Sequence, residues 1–216
     1  HRLHEGVELH ADGELIREYG HPTEPLFGKS ADFVPIKVAV GKGDNLFVVS
    51  LGNTNGIVQL SRSTGEFLGY FGANRVTVSL WDRLSDVLFT DEQKAQMERK
   101  APPSASNITI DQKGLVYTIT DISTDPDMVL RKLNLTGNSM LHVDFPIVNP
   151  SAVHVGAIGN IYIGTHDGYL MELDTDGNLL FLFGSPDDGS QRMGLFNTIS
   201  AVDLDGCGRL FVLDDS

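Results

Sequence analysis

The sequence is poor in cysteine and in basic residues and has no long apolar run, and each shortage argues against a class of protein. Cys207 is the single cysteine, which rules out a disulfide framework and a zinc site made of cysteines. Lysine and arginine total 16 against 29 acidic residues, so the formal net charge of −13 argues against nucleic acid or an anionic membrane as main partner. No apolar run approaches the roughly 18 residues that a membrane-spanning helix needs, and no signal peptide is visible.

Repeated hairpins are what the sequence has in abundance. In the first kind, an alternating apolar strand enters a polar turn containing Gly or Asp, and an aromatic-rich strand leaves it. Its four copies are residues 38–50, 108–120, 153–165 and 202–214. Hairpins of a second kind alternate with them and turn at Asp12-Gly13, Thr64-Gly65, Thr136-Gly137 and Asp176-Gly177. Two alternating hairpin types predict an all-β fold, a β-propeller of four-stranded antiparallel blades.

The order of the hairpins predicts about four blades' worth of strands in a single domain, residues 1–216. The first kind supplies the inner strand pair of a blade and the second kind the outer pair. The chain begins with an outer pair at residues 7–20 and ends with an inner pair, so its ends could join in a composite blade and close a four-bladed ring. Alternatively, the chain is a segment of a larger, commonly six-bladed ring. We favour the segment, because the chain starts at His1 in mid-pattern and stops at Ser216, where an outer pair is due.

The other outer hairpins show how regular the pattern is, and one insertion interrupts it. Their extents are Val58–Gly72, Leu130–Phe145 and Leu170–Gly184. Residues 73–104 lie between two blades, and their pattern predicts helices. One apolar face is formed by Leu80, Trp81, Leu84, Val87 and Leu88. A more polar helix over 91–100 follows, and Pro102 and Pro103 end it.

Two inner hairpins carry a distinctive spacing of Asp, Gly and an aromatic residue. They read Ile110-Asp111…Gly114…Val116-Tyr117 and Leu204-Asp205…Gly208…Leu210-Phe211, whereas Gly41 and Gly156 replace the Asp in the other two. This spacing resembles the blades of NHL-repeat proteins, whose inner strands read roughly apolar-x-apolar-Asp-x-x-Gly-x-apolar-aromatic-apolar. The blades together with the insert look like bacterial NHL-repeat proteins that are called gluconolactonase-like by fold analogy.

The resemblance implies a non-enzymatic propeller that binds a protein or carbohydrate ligand, with the loops of one face and the insert as its recognition surface. It also implies a bacterial protein that works outside the cytoplasm. Calcium-dependent sugar lactonases and arylesterases are neighbouring propeller families, so a divalent-metal-dependent lactonase or esterase is the alternative. That alternative would require calcium as cofactor, with a cation polarising the carbonyl while a carboxylate or His166 activates water.

Candidate site residues come from the loops that a propeller gathers on one face. For ligand binding they are Asn53, Asn55, Trp81, Asp121, Asn149 and His166, with Trp81 as an apolar wall. Three carboxylates within seven residues suit a hard cation, and the candidate metal ligands are Asp121, Asp125 and Asp127. Only under the hydrolase alternative do His166 and Asp167 become catalytic candidates. The binding interpretation needs no cofactor.

Overall fold

Antiparallel hairpins form nearly all of the regular structure. The structure, a computed structural model, describes residues 5–28, 31–72, 104–121, 123, 126–190 and 192–215. The helical insert predicted at 73–104, with Trp81, lies outside these residues apart from Ser104. The single helix among the described residues is the four-residue α1 (Pro126–Val129). No described helix has the length and apolar character needed to cross a membrane.

The strands follow the predicted order of pairs, beginning with an isolated outer pair. That pair is β1 (Gly6–Leu9) and β2 (Leu15–Tyr19). Blade I is a four-stranded antiparallel sheet with the strands β3 (Pro35–Val40), β4 (Asn45–Ser50), β5 (Ile57–Ser61) and β6 (Phe67–Phe71). Blade II is three-stranded, with β7 (Asn107–Ile110), β8 (Val116–Ile119) and, after α1, β9 (Leu130–Leu133).

The second half of the chain repeats this organisation and ends on an isolated inner pair. Blade III is four-stranded, with β10 (Pro150–Val155), β11 (Ile161–Thr165), β12 (Leu170–Leu173) and β13 (Leu179–Phe183). A two-residue parallel pairing follows, β14 (Ser185–Pro186) with β15 (Leu195–Phe196). The last pair is β16 (Ile199–Leu204) and β17 (Leu210–Asp214). This sheet arrangement confirms the predicted all-β, four-stranded blade architecture.

The inner strands of successive blades are neighbours in space. β3 lies beside β7, β7 beside β10, and β10 beside β16. At the two ends, β1–β2 and β16–β17 are separate two-stranded sheets, so the described residues do not form the composite blade of a closed four-bladed ring. The segment of a larger ring and the closed four-bladed ring both stay predictions.

The four outer-hairpin turns are formed where the sequence predicts them. Their glycines, Gly13, Gly65, Gly137 and Gly177, all have positive φ between 77° and 93°. This conformation is costly for residues with a Cβ, which explains why each turn carries glycine. The local sequence therefore determines the turn positions.

Blade II departs from the prediction, because the hairpin expected over Leu130–Phe145 has no regular returning strand. Only Ser139 pairs with the sheet, through a single bridge to Leu133. Beyond it, Leu141 and Val143 are buried in the core shared with blade III. Pro146, which has no N–H to donate to a ladder, follows. Burial against the next blade thus replaces strand pairing here.

The hydrophobic core is divided among the boundaries between successive sheets. The outer pair β1–β2 and blade I share a cluster around Tyr19 and Phe67, and blades I and II share one around Phe47 and Leu133. A thirteen-residue cluster between blades II and III is built from side chains such as Tyr117, and a smaller cluster contains Ile199 at the last boundary. Each core thus forms between neighbouring sheets.

Crowding at the inner turn of blade I explains the glycine at a position that holds Asp in two sister hairpins. In blade II, Asp111 Oδ1 accepts the backbone N–H groups of Lys113 and Leu115, at 2.8 and 2.9 Å, and stabilises the turn. At the equivalent Gly41, a Cβ would lie 2.6 Å from Cε2 of Phe47. The Phe47 ring therefore occupies the space that a side chain would need.

Candidate functional site

The loops that follow the inner hairpins share one backbone geometry, which places the predicted site residues at one edge of the blades. In blades I and III and in the last inner hairpin, the residue after the second inner strand donates its backbone N–H to the carbonyl of the residue just before the first inner strand. These bonds are Leu51 to Val34 (2.9 Å), His166 to Asn149 (2.9 Å) and Asp215 to Thr198 (2.8 Å). Residues at these positions therefore lie in equivalent places of their blades.

Asn149, His166 and Asp167 form one cluster at this edge of blade III. Asn149 has a φ of 49°, and its Nδ2 donates to Oδ2 of Asp167 at 2.9 Å. The carbonyl of His166 accepts the hydroxyl of Thr198 at 3.2 Å. Among the described residues no hydrogen bond joins the His166 ring to Asp167, so the oriented His–carboxylate pair of a general base is not built here.

Asn53 and Asn55 form a tight turn at the same edge of blade I. The side-chain Oδ1 of Asn53 accepts the backbone N–H of Asn55 at 2.9 Å. The Nδ2 atom of Asn53 is buried and has no hydrogen-bond partner in the part of the chain that the structure describes. A buried unpaired amide donor is unfavourable in a folded protein, so this atom marks a place where a ligand or water acceptor would be stabilised.

Asn53 lines a small polar cleft between blades I and II. The cavity has a volume of about 20 Å³, and other residues that line it include Gly72, Ser104, Thr118, Thr120 and Arg131. The chain reaches the 73–103 segment from Gly72 and returns from it at Ser104, so both flanks of the predicted insert border the cleft. Asp121 follows Thr120 and is exposed, but it does not line the cleft. The cleft therefore brings Asn53 together with groups that the sequence did not indicate.

Arg131 is the residue of this cleft that sequence reasoning missed. It lies on β9, opposite Thr118, and its Nη1 donates to the carbonyl of Gly72 at 3.1 Å. Burial lowers the pKa of Arg131 below its usual value, and no described carboxylate lies within ion-pair distance of it. The corresponding strand positions in blades I and III, given by the pairing register, hold Val58 and Met171. An arginine where the sister strands carry apolar residues was the available signal.

The predicted calcium ligands are only partly within the described residues. Asp125 lies outside them, and Asp121 is exposed. Asp127, on α1, lies 2.7 Å from His142 Nδ1, while His142 Nε2 lies 3.0 Å from Asp144. Among the described residues, no group of three His, Cys, Asp or Glu is placed to hold a metal ion. The calcium site therefore stays a prediction.

We expect His142 to titrate above the usual value of 6.5, because Asp127 and then Asp144 stabilise its protonated form and raise its pKa. Because the pKa of His142 is higher in the folded chain than in the unfolded chain, protonated His142 stabilises the fold. This stabilisation is complete at pH values below the pKa of the unfolded chain and is lost as the pH rises through the pKa of the folded chain. An NMR titration of the imidazole should show the raised pKa, and Asp127→Asn should lower it. A His142 pKa at or below 6.5 would contradict the pairing.

Comparison with known proteins supports the β-propeller fold but identifies no family. No protein-family model matches the chain, and no curated protein sequence matches it. A protein of unknown function from Bacteroides caccae superposes with a TM-score of 0.56 at 15% identity, over 96% of this chain and 60% of the other. Virginiamycin B lyase from Staphylococcus aureus superposes with a TM-score of 0.55 at 14% identity, over 94% of this chain and 54% of the other.

These likenesses define the class of protein. Virginiamycin B lyase is a β-propeller, and the sheets described above superpose on it over nearly the whole of this chain. The chain has a β-propeller-like fold, and it spans little more than half the length of these two solved structures.

Proposed function

We propose that this chain is a non-enzymatic binding propeller of the NHL type, which holds a carboxylate group of its ligand at Arg131. The observation that carries the proposal is a half-buried guanidinium without a described acidic partner, in the same cleft as the unpaired Nδ2 of Asn53. Both groups line the same cleft at the loop edge between blades I and II.

The energetics of Arg131 favour an anionic ligand group. A guanidinium has five N–H donors, and the described residues give that of Arg131 one hydrogen-bond acceptor, the carbonyl of Gly72. Removing a cation from water without an anion is unfavourable, and an oxygen of a carboxylate could accept a charge-assisted hydrogen bond from the guanidinium. The Nδ2 of Asn53 would supply a further donor. A carboxylate would thus compensate for the lost hydration of Arg131 and accept a hydrogen bond from Nδ2 of Asn53.

The size of the cleft limits what enters it. A volume of about 20 Å³ admits one water-sized group, so a carboxylate would insert one oxygen and remain partly outside. The rest of the ligand would lie over the neighbouring loops, where Asn55 and Asp121 are exposed. Acidic peptides and acidic sugars both carry such a group, which agrees with the protein or carbohydrate partner that the NHL resemblance implies.

The NHL type is supported by the inner turns of two hairpins. Asp205 Oδ1 accepts the N–H groups of Cys207 and Arg209, at 2.9 and 2.8 Å, as Asp111 does in its own turn. The Asp of the NHL spacing thus has a defined structural role in both copies. No specific contact among the described residues favours the lactonase or esterase alternative.

The proposal predicts opposite effects of Arg131→Met on binding and on stability. Methionine is the residue of the sister strand in blade III, so it fills the space without a buried charge. We expect unfolding to require about 1 kcal/mol more free energy. We expect binding of a carboxylate to weaken at least about tenfold, since a charge-assisted hydrogen bond contributes about 1.5–3 kcal/mol.

The experiment is an NMR titration that follows the amides of Asn53 and Thr120. The probes are the α-amide of N-acetylglutamate and glucuronate, each matched by a partner that lacks the carboxylate, N-acetylglutamine amide and the methyl ester of glucuronic acid. The control variant is Arg17→Met, because Arg17 is a partly exposed arginine that does not line the cleft and donates only to the carbonyl of Thr64 among the described residues. Shifts with one acid and not its uncharged partner would identify the peptide or the sugar source. Equal responses of wild type and Arg131→Met would refute the proposal.

A further inference from the structure

A side-chain bridge joins the inner turn to the third strand in blades I and III. In blade I, Gln59 Nε2 donates a hydrogen bond to Oδ1 of Asn45 at 2.9 Å. In blade III, Asn160 Nδ2 donates to Oε1 of Glu172 at 2.7 Å. The two asparagines are the residues whose carbonyls close the inner turns, and their partners lie opposite the aromatic residue of the second strand. The bridge thus ties each turn to its own blade.

Blade II cannot form this bridge, because Leu115 stands at the turn position and Lys132 at the strand position. Lys132 crosses instead to the next blade, where its Nζ donates to the carbonyl of Thr175 at 2.7 Å. The ammonium also lies 5.8 Å from the centre of the Tyr117 ring, which is within cation–π range. The side chain is therefore held across the boundary between blades II and III.

A polar cleft with a volume of about 220 Å³ lies beside Lys132 at this boundary. Blade II lines it with residues 111–113 of its inner turn, and blade III lines it with residues 156–159 and Thr175. Both walls are described blades that share a packed core. Because neighbouring residues of a strand point to opposite faces, this cleft and Arg131 lie on opposite sides of β9. The cleft is therefore separate from the site proposed above.

The charges that line the cleft have a positive excess, although the whole chain has a formal net charge of −13. Among the described residues, neither Lys113 nor Lys132 has a carboxylate within ion-pair distance of its ammonium group. Asp111 is the acidic residue of the lining, and its carboxylate already accepts three hydrogen bonds. Their donors are the backbone N–H groups of Lys113 and Leu115 and the hydroxyl of Tyr117. The two ammonium groups thus retain donors for an anion, while the carboxylate is committed to its own turn.

We propose that this cleft binds the phosphate group of a phosphate monoester between the ammonium groups of Lys113 and Lys132. A monoester carries a charge of about −1.5 to −2 at neutral pH, so it gains from two cations where a carboxylate gains from one. Lysine binds phosphate as a point charge, whereas the planar carboxylate suits the fork of an arginine. Lys132 uses one of its N–H donors on Thr175, and the other two can reach phosphate oxygens.

The size of the cleft favours a small ester. Its volume of about 220 Å³ is below the roughly 300–1,000 Å³ of sites that enclose a drug-sized ligand. A phosphate with a short organic group would therefore fill it. Ile158, which is 79% exposed on the blade III turn, would contact the carbon atoms next to the phosphate. A free phosphorylated metabolite and a phosphorylated serine both carry this chemistry, and the experiment separates them.

The test is an NMR titration that follows the backbone amides of Gly159 and Thr175, which line the cleft. The probes are glycerol 3-phosphate and N-acetyl-O-phosphoserine amide, and acetate is the control anion with a single charge. We expect saturable shifts with glycerol 3-phosphate and none with acetate at the same concentration. Saturation by the phosphoserine probe alone would support the site and assign it to phosphorylated protein. Shifts with neither ester, or equal shifts with acetate, would overturn the proposal.

Two substitutions test the two lysines separately. Lys132→Gln introduces the residue that blade I has at this position, and it removes the charge while keeping a donor for the Thr175 carbonyl. Lys113→Gln changes an exposed side chain without a described partner, so it should leave folding unchanged. We expect each to weaken phosphate binding at least about tenfold, the loss of a charge-assisted hydrogen bond. The matched control is Lys37→Gln, because Lys37 is an exposed lysine of β3 that does not line the cleft. Unaltered affinity in either cleft variant would overturn the proposal.

Discussion

Leu133→Ala is expected to lower the free energy of unfolding by about 2–5 kcal/mol, the range for a buried leucine truncated in a core that cannot collapse around it. Leu133 ends β9 and is completely buried in the cluster shared by blades I and II. Its side chain also fills the space beside Gly72, where a Cβ would lie 2.6 Å from Cδ1 of Leu133. Because rigid strands surround the site, the cavity would persist.

The control for this substitution stands two residues further along the same hairpin. Leu135 is 80% exposed, so Leu135→Ala removes the same atoms from a solvated position. We expect it to change the free energy of unfolding by less than about 0.5 kcal/mol. Urea denaturation of both variants measures the difference. Equal losses would mean that Leu133 does not pack as the structure shows.

Gly168→Ala is expected to destabilise the chain by about 3 kcal/mol or more, through two additive effects. Gly168 has a φ of 77°, and the left-handed region costs an alanine roughly 1–2 kcal/mol. In addition, an added Cβ would lie 2.2 Å from the carbonyl oxygen of Phe196. Because that oxygen belongs to the backbone of β15, it cannot rotate away as a side chain would. The backbone of β15 or of the Gly168 turn must therefore shift.

Gly13→Ala isolates the conformational part of this effect. Gly13 has a φ of 91°, and no atom lies within 4 Å of the position where a Cβ would be added. We therefore expect a loss of only about 1 kcal/mol, from backbone conformation alone. Thermal melts of the two variants compare the sites directly. If Gly13→Ala were as damaging as Gly168→Ala, the contact with Phe196 would not contribute.

The hairpins were predictable because their determinants are local. Turn glycines with positive φ, such as Gly65 and Gly177, stand within a few residues of the strands they join, and strand alternation spans only six residues. The returning strand of blade II was not predictable in the same way. Its residues alternate in burial, but Leu141 and Val143 bury against blade III instead of pairing within blade II. That choice depends on a surface formed by residues 150–173.

The candidate site shows the same division between local and distant determinants. Asn149, His166 and Asp167 were expected at one face, and the structure brings them together because each flanks an inner strand of one blade. The cleft at Arg131 instead combines strand β9 with the carbonyl of Gly72, which is 59 positions away in the sequence. Neither hydrophobic alternation nor loop composition encodes such a contact between blades.

The core consists of separate clusters at the boundaries between sheets, and this has a consequence for the evolution of such chains. Each cluster of described residues involves only two successive sheets, so within the described part of the chain no single buried cluster connects the first hairpin with the last. Duplication or deletion of a whole blade would create or remove one boundary and leave the remaining packing as it was. Blade number is thus free to vary by genetic recombination, while the inner and outer hairpins that form each unit are held constant by their turns.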